Sequence, residues 1–240
     1  MAVCAAASVA CGGSAKDRAD GGGAPPATGG ERAETGGGAV AAAPTSDARP
    51  VVLIVGTSLT AGLGLSPDSA YPAVLQRLAD SAGVAVRVVN AGLSGETSAG
   101  ALRRLDWLLR EPAALVVVET GANDGLRGLD VDSTRANLVA IVRRVRAALP
   151  RAEVVVAQME APTNLGAEYT RRFHAIFPAV ARAEGAGLLP FLLEGVAGVR
   201  RLNQDDGIHP TEEGARRVAA NVWPALGPRL ARLASAAASR

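Results

Sequence analysis

Val51-Val52-Leu53-Ile54-Val55-Gly56-Thr57-Ser58-Leu59-Thr60 joins a fully apolar, β-branched run to a turn of small and hydroxyl residues. Consecutive aliphatic residues without alternation describe a strand covered on both faces. Outward from it, Val84 to Val89, Leu115 to Glu119, Val154-Val155-Val156 and the shorter Leu188-Leu189 read the same way. Between these runs the apolar residues fall at helical spacing. Tyr71, Val74, Leu75 and Leu78 predict a helix with Ser69 as its N-cap and Pro72 in the first turn. Leu138, Ile141, Val142, Val145 and Leu149 predict another from about Asp132, and Tyr169 to Glu184 and Thr211 to Trp223 supply two more. Trp107 and Trp223 lie within helical patterns and are expected in the core. Strands separated by helices pair in parallel through right-handed crossovers. The expected fold is therefore α/β, a three-layer, doubly wound parallel sheet of about five strands. Ligands in such folds sit beyond the carboxyl ends of the strands.

Composition narrows the chemistry. The chain has 240 residues, 48% hydrophobic and only 3% aromatic, so Leu, Val and Ala must fill its core. A net charge of +2 gives no broad field for nucleic acid. Lys16 is the only lysine and lies in a stretch without large apolar residues, which excludes a Walker-type phosphate loop and a Schiff-base lysine. Cys4 and Cys11 are the only cysteines, so the body of the chain holds no disulfide and no thiolate metal site. His174 and His209 are the only histidines, too few for a His-rich zinc site. Residues 1–48 combine a short apolar run, Cys11-Gly12-Gly13-Ser14 and a Gly/Ala-rich stretch. That stretch is expected to be a disordered linker, because it cannot bury enough surface to offset its ordering entropy. The opening resembles the end of a bacterial lipoprotein signal, which implies export with lipid attachment at Cys11. The folded domain is expected over 49–232, with a flexible tail over 233–240. No run of about 20 apolar residues suggests a membrane span, and a monomer is the default expectation.

The residues after each strand carry the functional reading. Ser58 stands after the first strand and before a helical turn, a place that suits a nucleophile but taken alone more often holds an ordinary N-cap. The second strand ends in Asn90-Ala91-Gly92-Leu93-Ser94-Gly95-Glu96-Thr97, where glycines permit a close backbone approach and Thr97 is suited to cap a helix. The third ends in Gly121-Ala122-Asn123-Asp124-Gly125, whose Asn side chain can donate to an oxyanion or whose Asn123 or Asp124 can cap the next helix. Near the end, Asp206-Gly207-Ile208-His209-Pro210 places a carboxylate three residues before an imidazole, able to orient it as a general base. His174 has no acid at that spacing and is assigned a structural role on its helix.

Together, Gly56-Thr57-Ser58-Leu59-Thr60, the Gly-bearing second block, Gly121-Ala122-Asn123-Asp124 and Asp206-Gly207-Ile208-His209 resemble, in type and order, the four blocks of the SGNH (GDSL) hydrolase family. Tyr71-Pro72-Ala73, Asn123-Asp124-Gly125-Leu126-Arg127-Gly128 and Asn221-Val222-Trp223-Pro224 resemble its acyl-CoA thioesterase I, arylesterase and lysophospholipase branch, and the similarity covers about 50–230. The resemblance implies a flavodoxin-like fold and a serine esterase acting on carboxylic esters or thioesters through an acyl-enzyme. It implies Ser58 as nucleophile, His209 as base and Asp206 as its orienting acid. The oxyanion hole would be the N–H groups of Ser58 and Gly95 with the Asn123 amide, and no metal or cofactor is required. Thr57 departs from the family, whose name motif has Asp there. Leu126, Leu129, Ala161, Pro162 and Leu165 are expected to wall an acyl site, favouring aryl or short-to-medium acyl substrates, with lysophospholipid as a further option. A carbohydrate O-acetyl esterase with the same triad, and a non-catalytic surface lipoprotein, are the alternatives. A phosphate-binding module of similar topology would need a phosphate loop that is absent from the sequence.

Overall fold

The computed structural model describes residues 48–239. The leader expected over 1–48, with Cys11, lies outside the described residues apart from Ala48. Five strands, β1 (Val51–Gly56), β2 (Arg87–Gly92), β3 (Leu115–Val118), β4 (Glu153–Ala157) and β5 (Gly187–Leu189), form one parallel sheet in the order β2-β1-β3-β4-β5. The helices are α1 (Ser58–Ala61), α2 (Tyr71–Ser81), α3 (Ser98–Leu108), α4 (Ala122–Leu126), α5 (Val131–Ala148), α6 (Ala167–Ala183) and α7 (Glu212–Ala238). They lie on both sides of the sheet, with α2 packed on α7, and α5 packed on α3 and α6. Val52, Ile54 and Val55 of β1 and all of β3 are buried, as expected for strands covered on both faces. The chain adds β2 on one side of β1 and β3 on the other, so the crevice at the carboxyl end of the sheet falls where Ser58 and Asn123 leave their strands.

Several expectations need correction. The second strand starts at Arg87 rather than Val84, because Arg87 is the residue opposite Val51, where β1 begins, and it ends with Gly92 opposite Gly56. Ser69 does not cap α2. It lies in a 3-10 turn, Pro67–Ser69, and its hydroxyl donates to Glu212, while Ala70 holds the cap position and Pro72 sits in the first turn. Neither Asn123 nor Asp124 caps α4, which is entered through Gly121 at φ 101°. Asp124 instead accepts from the backbone and hydroxyl of Ser98 and from Thr134, tying the start of α3 to α5. Trp107 is 65% exposed, not core. The buried face of α3 is Ser98, Ala101, Leu105 and Leu108, and a residue two beyond Leu105 points away from it. Trp223 does pack against the core, partly buried.

Helix α7 does not stop at Trp223 but continues through Pro224 and Pro228 to Ala238, so the segment expected as a flexible tail is helical as far as that residue. An interior proline costs about 3 kcal/mol. Val222, Leu226 and Leu230 are fully buried and return about 1.5–3 kcal/mol each, a sum of the same size as the cost of two prolines. Leu233 and Ala234 carry the contact with the core further still. Among the described residues, no helix is long and apolar enough to cross a membrane.

Candidate active site

Ser58 opens α1 immediately after β1. Thr57 occupies the N-cap in extended conformation, and its hydroxyl accepts weakly from the Leu59 N–H at 3.5 Å. Gly62, at φ 72°, ends this single turn by bonding back to the Ser58 carbonyl. Ser58 Oγ, in a residue only 7% exposed, lies 2.8 Å from His209 Nε2. On the other side of the ring, His209 Nδ1 lies 2.6 Å from Asp206 Oδ2. Asp206 Oδ1 accepts from the backbone N–H groups of Ile208 and His209, both at 2.9 Å, so both carboxylate oxygens are committed to this loop. These donors, the His209 side chain foremost, hold the Asp206 carboxyl down at about 2. Asp206 is thus ionised throughout the neutral range. Its depressed value stabilises the fold above the ordinary carboxylate range, and that contribution is lost as pH falls through about 2.

The loop bearing the acid and base is pinned from several sides. Gln204 donates its backbone N–H to the His209 carbonyl at 2.7 Å and its side-chain amide to Leu63 O and Pro210 O. Asn203 pairs with Pro210 across an isolated antiparallel bridge and donates to the Val196 and Val199 carbonyls. The Leu63 contact joins this loop to the turn of Ser58 across 141 residues of chain.

Gly95 and Asn123 meet through Glu96: Asn123 Nδ2 donates to the Glu96 carbonyl at 2.9 Å. One amide hydrogen of Asn123 is thereby used for orientation, and the other is left for a ligand. The Glu96 side chain, 4% exposed, is held by Arg104 through Nε and Nη2, both at 2.7 Å, and Arg104 also donates to Ala91 O at the end of β2. Arg127 donates to the Gly95 carbonyl at 3.0 Å. The segments after β3 and β4 touch. Gly125 packs against Ala161 and the Phe173 ring, and Gly128 faces Leu165. His174 lies on α6 with an exposed ring. It pairs with Glu160 at 2.6 Å and neighbours Gln158, apart from the Ser58 and His209 pair. A groove of about 580 Å³ beside β2, lined in part by Val51, Val89 and Trp107, contains none of the five site residues.

The model of the GDSL-like Lipase/Acylhydrolase family matches residues 54–217. The chain belongs to this family. It is 45% identical over 185 residues to the "Esterase TesA" of Pseudomonas aeruginosa, covering 76% of this chain and 90% of that protein. It is 41% identical over 167 residues to the "Thioesterase 1/protease 1/lysophospholipase L1" of Escherichia coli K12, covering 69% of this chain and 78% of that one. The crystal structure of a TesA superposes with a TM-score of 0.71 at 44% identity, over 74% of this chain and 98% of that one. This GDSL-like hydrolase is a serine ester hydrolase.

Sequence reasoning did not single out two features of the site. The Glu96–Arg104 pair, which braces the Gly95 loop, was hidden because its partners lie on a loop and a helix eight residues apart. Glu119, the last residue of the run Leu115 to Glu119, is fully buried behind Thr57. A carboxylate closing an otherwise apolar buried strand is the signal that could have found it.

Proposed function

We propose that Ser58, His209 and Asp206 form the catalytic triad of this hydrolase. The Ser58 N–H, the Gly95 N–H and the free amide hydrogen of Asn123 would be its oxyanion donors. The observation that carries this reading is the unbroken chain from Ser58 Oγ through His209 to Asp206, with contacts of 2.8 and 2.6 Å. His209 Nε2 takes the proton as Ser58 Oγ attacks the carbonyl carbon, and Asp206 stabilises the imidazolium. The carbonyl oxygen becomes an oxyanion held by the three donors. Collapse of this intermediate expels the alcohol or thiol, which receives its proton from His209. Water, deprotonated by the same imidazole, then releases the acid and returns Ser58 to its resting state. No step calls for a metal or cofactor.

Leu126, Leu129, Ala161, Pro162 and Leu165 would wall the acyl site and suit an aliphatic chain, and Leu126 and Leu129 are exposed. The substrates proposed are aryl and short-to-medium acyl esters or thioesters, in keeping with the names of the relatives. The test is hydrolysis of p-nitrophenyl esters from acetate to palmitate, with an optimum expected among the short and medium chains. Activity confined to acetylated sugars would overturn this substrate class. Asn123→Ala removes one oxyanion donor and is expected to lower kcat by about 10²–10³-fold. A kcat within about fivefold of wild type in steady-state assays would remove Asn123 from the oxyanion hole.

A further inference from the structure

Glu119 has no task in the mechanism above, yet it is fully buried behind the nucleophile turn. Its Oε2 accepts the Thr57 N–H at 2.8 Å and the Thr60 hydroxyl at 2.7 Å, and its Oε1 accepts the Thr57 hydroxyl at 2.9 Å. The chain on either side of Ser58 is therefore tied to one carboxylate. Thr60 Oγ1 lies 2.8 Å from the Tyr71 hydroxyl, which extends the cluster into α2. The cluster also fills the space beside Gly56, where an added Cβ would stand 2.0 Å from Thr60 Oγ1 and 2.6 Å from Glu119 Oε2.

A buried carboxylate bonded only to neutral donors is costly, and an apolar residue could fill the same volume without that cost. The ion pairs of the described residues do not include Glu119. Arg104, arriving from α3, is committed to Glu96 and reaches only the Gly56 carbonyl on this side, at 3.4 Å. Tyr71, arriving from α2, is the titratable neighbour. Burial first, then the charge of Glu119, keep its phenol well above its ordinary range, so it remains a neutral donor.

We propose that the Glu119 carboxylate is a positioning residue of this hydrolase, holding Thr57 and Thr60 so that Ser58 Oγ stays directed at His209. The proposal rests on Ser58 being the nucleophile. What the position requires is a group that only accepts. The Thr57 N–H can only donate, and the hydroxyls of Thr57 and Thr60 both place their hydrogens on the carboxylate. A protonated carboxyl, or the amide of Gln, brings a donor into this ring of donors and leaves one hydroxyl without an acceptor. Burial raises the Glu119 carboxyl to about 7, so its acceptor form prevails above that pH and is lost below it. Thr57, where the family's name motif has Asp, supplies a hydroxyl donor to this carboxylate.

The test compares wild type with Glu119→Gln, Thr57→Val, Thr57→Ser and Ser58→Ala on p-nitrophenyl butyrate, from about pH 5 to about pH 9. Folding is checked by circular dichroism melts. At about pH 8, Glu119→Gln is expected to lower kcat about tenfold with KM within about twofold of wild type. Below about pH 7, as Glu119 is protonated, the wild-type advantage over Glu119→Gln should shrink from about tenfold towards parity. Thr57→Val should lose about tenfold in kcat and Thr57→Ser should restore it to within about twofold. A Glu119→Gln enzyme with the wild-type kcat at about pH 8 would overturn the proposal. So would a Glu119→Gln chain that does not fold beside a Thr57→Val enzyme of normal kcat, since that marks a space-filling role. Full activity in Ser58→Ala would overturn the nucleophile assignment and this proposal with it. Loss in Ser58→Ala with an unchanged Glu119→Gln would overturn only the role of Glu119.

Discussion

Ser58→Ala is expected to lower kcat on p-nitrophenyl esters by on the order of 10⁵-fold while leaving the melting temperature close to that of wild type. The substitution deletes one hydroxyl whose only side-chain partner among the described residues is His209 Nε2 at 2.8 Å. His209 keeps its bond to Asp206, and its backbone remains held by Asp206 Oδ1 and by Gln204, so the loop does not depend on Ser58 for its shape. What disappears is the atom that forms the acyl-enzyme. The residual rate should come from the oxyanion donors and substrate binding, which survive the loss of a triad member in comparable enzymes. A fluorophosphonate probe should form one adduct on the wild-type chain, on the peptide bearing Ser58, and none on the variant. A variant that keeps more than about 1% of wild-type kcat would mean that another group attacks the ester.

Gly92→Ala should cost at least about 3 kcal/mol of stability and take the activity with it. Gly92 closes β2 opposite Gly56, and a Cβ there would stand 2.1 Å from Ala61 N and 2.7 Å from Ala61 Cα and the Thr60 carbonyl carbon. All three are backbone atoms of the turn that carries Ser58, so no side-chain rotation can make room. The turn cannot retreat either: Asn90 holds the Thr60 carbonyl at 2.7 Å and Glu119 holds the Thr60 hydroxyl at the same distance. Gly83→Ala is the control. Gly83 lies at φ 67° with open space around its Cβ position, so its cost is conformational strain alone, about 1–2 kcal/mol. Urea midpoints at unchanged m would separate the two. Equal losses at both positions would show that the contact between Gly92 and the nucleophile turn carries no special weight.

Much of this architecture comes from local pattern. Short, β-branched and uniformly apolar runs such as Val51 to Val55 and Val154 to Val156 read as strands covered on both faces. The segments between them repeat at helical spacing. Candidate site residues were legible for the same reason, since in a parallel α/β sheet a polar residue directly after a strand is delivered to the crevice. Ser58, Asn123 and the Gly95 loop come after β1, β3 and β2, and the acid and base are three residues apart. Legibility failed where the deciding contact was distant. The last helix read as ending at Trp223, because the apolar surface that carries α7 past Pro224 and Pro228 belongs to the sheet and other helices. Ser69 read as a cap because the Glu212 carboxylate that captures it is 143 residues away. Trp107 read as core on hydrophobicity alone, although its helix buries a different face.

By itself the sequence determined the fold class, the order of the secondary elements and the small set of residues that could do chemistry, because hydrophobic periodicity and turn chemistry act over a few residues. Only the tertiary structure decided the strand order β2-β1-β3-β4-β5, the register that sets Gly92 beside Gly56, and the burial of Glu119 between two threonines 59 and 62 residues before it. These depend on which surfaces close against each other, and the energetic weight of a buried carboxylate or a missing Cβ exists only once the chain has closed around it.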